Sequence, residues 1–543
     1  MRAILGLMVV AFAIQQSTPA PQPVFRAGTR LIQVNVVVHD KRGQPIADLK
    51  QEDFSLLERG KAQQISFFTV DTATSAASPA PQAPLPSNTF ANIASSRADV
   101  PTGVTAILVD ALNSSVAEQM RTRDGLLKFL KRIEPQDRIA IFAITTHGLV
   151  LVHDYTSDSA ALVERIRNAK PQVSTTLDAS VPDPAMQQDL HNMGLDALAD
   201  ADQRTADFYM EGRINQTLAA FRAIAEHLAG VPGRKSLVWL STGFPLSIGF
   251  DQVGGPSGSF SNRNAQLYNE QLEGVMRVLN SGGIAVYPVD ARGVFNPVIV
   301  DSSARIPSGS WGQMSDISSQ KANTDTMFVL AERTGGRVAY NTNDIGGAVR
   351  AAIDDGRVTY TLGYYPADAA DDGKWRDIKV TVNRPATDVR ARGGYFAMRP
   401  ADQAADARGR DIHGAVWSPI DSTAIPVTAK IDFTNDPPTM FEAEVHLDTA
   451  SVSFRHEGDR WKADLDMAFV QKDPHGALQG EGGLDNLAIS LTEENYKKVL
   501  ENGLVHRYHG VRQPAAVTLR IVVRDATTGS VGSVTIPFAQ IRH

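Results

Sequence analysis

From residue 32 the chain alternates Ile32, Val34, Val36 and Val38 with Gln33, Asn35, Val37 and His39, the period-2 pattern of a half-buried strand. Asp40-Lys41-Arg42-Gly43 reads as a turn, and Phe54-Ser55-Leu56-Leu57 and Ile65-Ser66-Phe67-Phe68 flank Arg59-Gly60 as a hairpin. Three such strands bury too little to stand alone. Residues 24–72 therefore form a β segment that needs partners from elsewhere. Residues 73–101 are rich in Ala, Pro, Ser and Thr, the composition of a solvated linker.

From Gly103 the pattern switches to strands alternating with helices. Val104 to Val109 is a continuous apolar run, as for a strand covered on both faces. Leu126, Leu130 and Ile133 follow at helical spacing before Pro135, and Arg138 to Ile144 and Leu149 to His153 read as two more buried strands. Asp158 opens a helix through Leu162 and Ile166, and Ile214, Leu218, Phe221, Ala225 and Leu228 mark a strongly amphipathic one. Strands over Ser236–Leu240 and Ile284–Val289 then flank a helix over Leu267–Leu279. Met327 to Ala331 sits on a further helix ahead of the short strand Val338-Ala339-Tyr340. This order calls for an α/β Rossmann-like unit over 102–356, a mostly parallel sheet with helices on both faces.

After about residue 357 the β pattern returns, in Tyr360–Tyr365, Ile378–Val382 and Val389–Phe396. These strands, in 357–398, are expected to complete the β segment 24–72, making the α/β unit an insertion in a β domain. A last β region, 412–543, has the clearest alternation: Trp461, Ala463, Leu465, Met467 and Phe469, then Val517, Leu519, Ile521 and Val523. A β-sandwich is the natural reading, with Trp461, like Trp239, in a core.

At 543 residues the chain exceeds what one hydrophobic core serves. A composition of 43% hydrophobic and 21% charged residues is that of a globular protein and excludes disorder over most of its length. The formal net charge of -7 argues against nucleic acid as a partner. The absence of cysteine removes disulfides, thiol nucleophiles, Cys-ligated zinc and thioether lipid anchors. Met1-Arg2, the apolar run Ala3–Ile14 and the small residues up to Ala20 describe a secretory signal peptide over 1–20. The expectation is an exported protein, periplasmic or extracellular, with no transmembrane span in the mature chain.

The end of the first α/β strand, Val109-Asp110-Ala111-Leu112-Asn113-Ser114, places a carboxylate and hydroxyls where ligands collect in open α/β sheets. Here the chain resembles the von Willebrand factor A (VWA) family, in particular the exported VWFA-related proteins typical of acidobacterial genomes. The resemblance spans about residues 24–398. It rests on Glu52-Asp53-Phe54 with Glu58-Arg59-Gly60-Lys61, on Val109–Asn113, and on Gly230 to Pro245. Tyr287 to Gly293, Thr334-Gly335-Gly336-Arg337, Asn341 to Asp344, Leu362 to Pro366 and Arg392 to Tyr395 carry it further.

The resemblance implies a metal-ion-dependent adhesion site with the pattern Asp-x-Ser-x-Ser plus a distant Thr and a distant Asp. Asp110 matches the first ligand, Ser114 the last hydroxyl and Thr217 the distant Thr. Leu112 stands in place of a Ser, and Ser241-Thr242-Gly243 in place of Thr-Asp-Gly. The implied site is degenerate, for Mg²⁺ or another divalent cation. Alternatively, Asp110 caps the following helix or hydrogen-bonds Ser241 and Thr242 across the sheet. Asn113, Thr242 and Asp290 would belong to a partner-binding rim, together with the acidic loop 171–207 and the Gly/Ser-rich stretch Gly254–Ser261.

Other motifs carry less. Pro232-Gly233-Arg234-Lys235-Ser236 lacks the Gly-x-x-x-x-Gly-Lys-Ser/Thr pattern and enters a strand rather than a helix, which excludes a phosphate loop. His506 and His509 are three apart in a segment read as a loop, where a surface role outweighs metal ligation. The sequence thus points to a binding protein of the cell envelope that engages a protein partner. An envelope hydrolase with an unrecognised site is the alternative, and a self-assembling structural protein a third.

Overall fold

The structure, a computed structural model, describes residues 31–72, 85–92, 103–180, 184–231, 233–243, 262–294, 326–367, 372, 374–397, 405–434 and 437–542. The signal-peptide segment, most of 73–101 and Gly254–Ser261 lie outside the described residues.

The central layer is a mixed five-stranded sheet. Strands β6 (Val104–Asp110), β7 (Ile139–Thr145), β9 (Lys235–Ser241) and β10 (Ile284–Asp290) run parallel in the order β10-β9-β6-β7, and β8 (Gly148–Thr156) closes the edge antiparallel to β7. Because side chains alternate across a strand, the continuous apolar runs split between two cores. Leu108, Phe142 and Trp239 face α5 (Asp196–Leu228), α6 (Asn262–Ser281) and α7 (326–334). Ile107, Ile141, Val238 and Tyr287 face α1 (Val116–Leu130), α2 (Ser159–Asn168) and α8 (Ile345–Asp354). Residues 149–153 differ from the expected buried strand: they belong to an antiparallel edge hairpin with Val150 and Leu151 exposed.

Two four-stranded sheets form a β base. One has the order β13 (Asp388–Ala391), β1 (Ile32–His39), β11 (Val358–Tyr364), β4 (Ile65–Thr72). The other runs β14 (Gly394–Phe396), β12 (Trp375–Val382), β2 (Phe54–Glu58), β3 (Lys61–Gln63). Val34 pairs with Leu362, Val36 with Tyr360, and Val380 with Leu56, so strands from the two ends of the α/β segment share one core. Inside it the buried Glu58 carboxylate accepts the Tyr364 hydroxyl at 2.6 Å and the Tyr395 hydroxyl at 3.3 Å. Burial pushes Tyr395 up to about 12 and Tyr364 in the same direction, which keeps both phenols as donors.

The C-terminal region stacks β20 (Leu504–Val511), β16 (Met440–Leu447), β15 (Val427–Phe433) and β5 (Thr89–Ala91) against β18 (Arg460–Lys472), β21 (Thr518–Asp525) and β22 (Val531–Pro537), with β19 (Leu478–Leu491) paired to β18. Ala463, Leu465, Met467 and Phe469 are buried in this core as their alternation requires. Trp461 is not: it is half-exposed, stacked on Tyr496 at 4.1 Å, with its indole NH on Glu493. Residues 89–91, expected within the linker, pair with β15.

The outer face of β21 is covered by α9 (Ala405–Trp417). There Asp411 accepts from Arg524 at 2.9 Å and from Arg222 of α5 at 2.6 Å, tying the C-terminal region to the α/β layer. Among the described residues no helix is long and apolar enough to cross a membrane.

Candidate functional site at the C-terminal ends of the parallel strands

The register places Asp110, Ser241 and Asp290 at the same level on neighbouring strands. Strand order then sets Asp290 two strands from Asp110, about 10 Å away. They do not share a site: Asp290 is held by the Arg292 guanidinium, with Nε 2.9 Å from Oδ1 and Nη2 2.7 Å from Oδ2.

Asp110 is buried and surrounded by donors. Its Oδ2 accepts from Ser241 Oγ at 2.8 Å, Trp239 Nε1 at 3.1 Å and Asn113 Nδ2 at 2.9 Å; its Oδ1 accepts from the Asn113 backbone NH at 3.0 Å. Burial raises the carboxyl above the usual range, and the Asn113, Ser241 and Trp239 donors pull the other way. An indole NH and a backbone NH can only donate, so the geometry suits an ionised carboxylate.

After Asp110 the backbone leaves strand geometry, as Ala111 and Leu112 both donate to Ile144 O. Had strand geometry continued, the Asn113 side chain would point off the site. The turn instead folds its amide back under Asp110. Its Nδ2 also reaches Thr217 Oγ1 at 3.0 Å, and its Oδ1 accepts from Arg213 Nε at 3.0 Å and Nη2 at 2.7 Å. Because Arg213 can only donate, the Asn113 amide is oriented from both sides. Thr242 Oγ1 donates to Asn113 O at 2.5 Å, and Ser114 is buried just ahead of Ser115, which caps α1 in a capping box with Glu118. Asp110 thus bonds Ser241 directly and Thr242 only through Asn113.

The structure brings Asp110, Asn113, Thr217 and Thr242 together, but their donor set does not fit a divalent cation. The Asp110 oxygens and Thr217 Oγ1 already accept protein hydrogen bonds, and a guanidinium lies on the other side of Asn113. Among the described residues no group of three His, Asp or Glu side chains is arranged to hold a metal.

Arg213 was not singled out in the sequence. The available signal was a charged residue on the apolar face of a strongly amphipathic helix, beside Ile214 and four before Thr217. The acidic segment 171–207, whose composition fits a solvated loop or a short surface helix, is helical for most of its length. It forms α3 (Thr175–Ala179), α4 (Pro184–Asn192) and the first half of α5, a helical projection beside the rim. His506 and His509 lie on β20 rather than in a loop, paired separately with Asp485 and Glu442.

Arg234, which interrupts the phosphate-loop look-alike, is buried and donates to the Tyr287 hydroxyl at 3.0 Å and to Gly335 O at 2.8 Å. Its role is to tie β9, β10 and the 334–337 turn together.

No family model and no curated protein matches the chain. Solved structures similar to it include the VWA domain of SpRpn10, at 11% identity over 35% of this chain and 74% of that one, with a TM-score of 0.16. The human COPII-coat protein Sec24c is similar at 10% identity over 54% of this chain and 43% of that chain, with a TM-score of 0.23. The pilus adhesin SpaC from Lactobacillus rhamnosus GG is similar at 8% identity over 80% and 57%, with a TM-score of 0.26. The chain spans less than two thirds of the length of the latter two.

Proposed function

We propose that the chain is a protein-binding protein of the VWA type, of the exported VWFA-related kind, which engages a partner in the cell envelope through the rim at the carboxyl ends of its parallel strands. The resemblance of residues 24–398 and the signal-peptide pattern of residues 1–20 support the type and the export.

The observation that carries the binding role is on α5. Leu198, Ala201, Thr205, Phe208 and Gly212 are exposed at spacings of three and four, one continuous helical stripe, with Leu198 56% and Phe208 70% exposed. Two large apolar side chains, Leu198 and Phe208, left in water on one stripe of small neighbours mark a contact surface rather than a core. Charge indicates the partner's chemistry. Residues 171–212 hold eight Asp and Glu against one Arg, net -7, which equals the net charge of the whole chain. The stripe therefore fits an amphipathic helix with basic flanks, and a second copy of this chain would be repelled.

Capture from envelope extracts tests this reading. Leu198→Asp with Phe208→Asp should lose a partner that wild type retains, while Val505→Asp on β20 keeps it. An unchanged partner set in the stripe variant would sink the proposal.

A further inference from the structure

The donor set around Asp110 raises a question of charge: what balances a buried carboxylate that has no place for a metal ion? Arg213 is 5% exposed and, among the described residues, makes no direct ion pair. Its guanidinium bonds the Asn113 amide oxygen through two nitrogens, and the amide nitrogen of the same side chain bonds both Asp110 oxygens, at 2.9 and 3.1 Å. A third guanidinium nitrogen donates to Ser180 Oγ at the end of α3. We propose that Arg213 is the resident cation of the Asp110 site: α5 supplies, across Asn113, the positive charge that a divalent ion would otherwise bring, and the rim is held in one metal-independent arrangement.

Three further observations support the assignment. Burial pulls the Arg213 guanidinium down to about 10, with the Asp110 charge acting in the opposite direction, so the side chain stays charged at neutral pH. With Arg213 in place the cage sums to zero, whereas an added divalent ion would leave a net charge of +2 in a buried space, where charge is least tolerated. The cage also has a mechanical side. Arg213 follows directly on Gly212, the last residue of the exposed stripe, and joins α3 and α5 to the β6–α1 turn through Ser180 and Asn113. The same guanidinium therefore neutralises the carboxylate and anchors the projection. This inference stands apart from the partner assignment and survives its failure.

The test uses the full chain. Calorimetric titration with MgCl₂ and MnCl₂ to millimolar concentration should give no binding heat, and the Tm should be the same in EDTA and in 10 mM MgCl₂. Arg213→Met should lower the Tm by roughly 5 °C, Arg213→Lys by less because it keeps the charge, and backbone exchange in 175–212 should speed up in the Met variant. Asp110→Asn and Arg213→Met should be strongly non-additive, the double variant being little worse than either single one. Metal-binding heat or a metal-raised Tm in wild type would overturn the assignment, and so would additive effects in the cycle. If the Met variant does not fold, the wild-type titration and the Lys variant still decide.

Discussion

The Trp239 indole NH donates to Asp110 Oδ2 across 3.1 Å, with no solvent reaching either group. The ring meets Phe221 of α5 edge to face at 5.1 Å. One side chain thus joins the strand-end carboxylate to the helix that carries Arg213. Trp239→Phe keeps an aromatic ring, removes the donor and leaves a small void. The expected loss is about 2–3 kcal/mol of stability, measured by thermal or urea unfolding. An unchanged midpoint would mean that the indole NH contributes nothing to holding Asp110.

Gly336 lies against β10 so closely that a Cβ there would sit 1.8 Å from Val286 O. The neighbouring Thr334 fixes the approach, accepting the Val286 NH at 2.9 Å while donating to Leu330 O. Gly336→Ala has only backbone to push against, so about 3 kcal/mol or more should be lost, with poor soluble yield. The Tm of any recovered variant checks it; a wild-type value would show that the strand and turn can separate freely.

Lys235 opens β9 with 6% exposure, and burial pulls its ammonium down to about 8. An unfolded chain holds that proton to about 10.4. Between these pH values the unfolded state binds more protons, so stability should rise with pH across this window. Below about 8 the buried charge is a constant cost. Lys235→Met should therefore raise the Tm at pH 7, and its advantage over wild type should shrink as the pH approaches 10. A pH-independent difference would place the effect in packing.

Arg222 binds Glu226 on its own helix at 2.9 Å and Asp411 of α9 at 2.6 Å. Arg222→Met should weaken the junction by about 1–2 kcal/mol, at the low end because a third of the side chain is exposed. Calorimetry should show the C-terminal region melting ahead of the rest. A single transition at the wild-type temperature would count against this role.

Legibility in the sequence followed packing. Ile214, Leu218, Phe221, Ala225 and Leu228 revealed the second half of α5 because they face the sheet. The first half stayed hidden because its large apolar residues Leu198 and Phe208 face water, and Ala206 and Met210 alone are too few core contacts to set a visible period. Leu149 to His153 looked like a buried strand by composition; the signal overlooked was Gly148, whose φ of 107° closes a tight hairpin onto Thr145. The short motifs were legible and turn out to be structural. Glu58 meets Tyr364 and Tyr395, Arg234 meets Tyr287 and Gly335, and Asp344 caps α8. The Asp110 cage was half legible: Asp110 and Thr217 were named, but the turn that folds Asn113 back and the arginine behind it are tertiary facts.

The base has a consequence for the order of folding. Tyr360 accepts the Leu49 NH from 311 positions away in the chain, and its hydroxyl donates to Ile46 O at 2.7 Å. Closing a loop of that length costs little more than closing one half as long, but the search for it is slow. The α/β sheet, whose strands lie nearer one another in sequence, can assemble first and bring residues 358–396 within reach of their partners. On this schedule the base forms after the α/β sheet. Until then β1 and β4 present open edges, the state in which the nascent chain is most exposed to mispairing and to proteases.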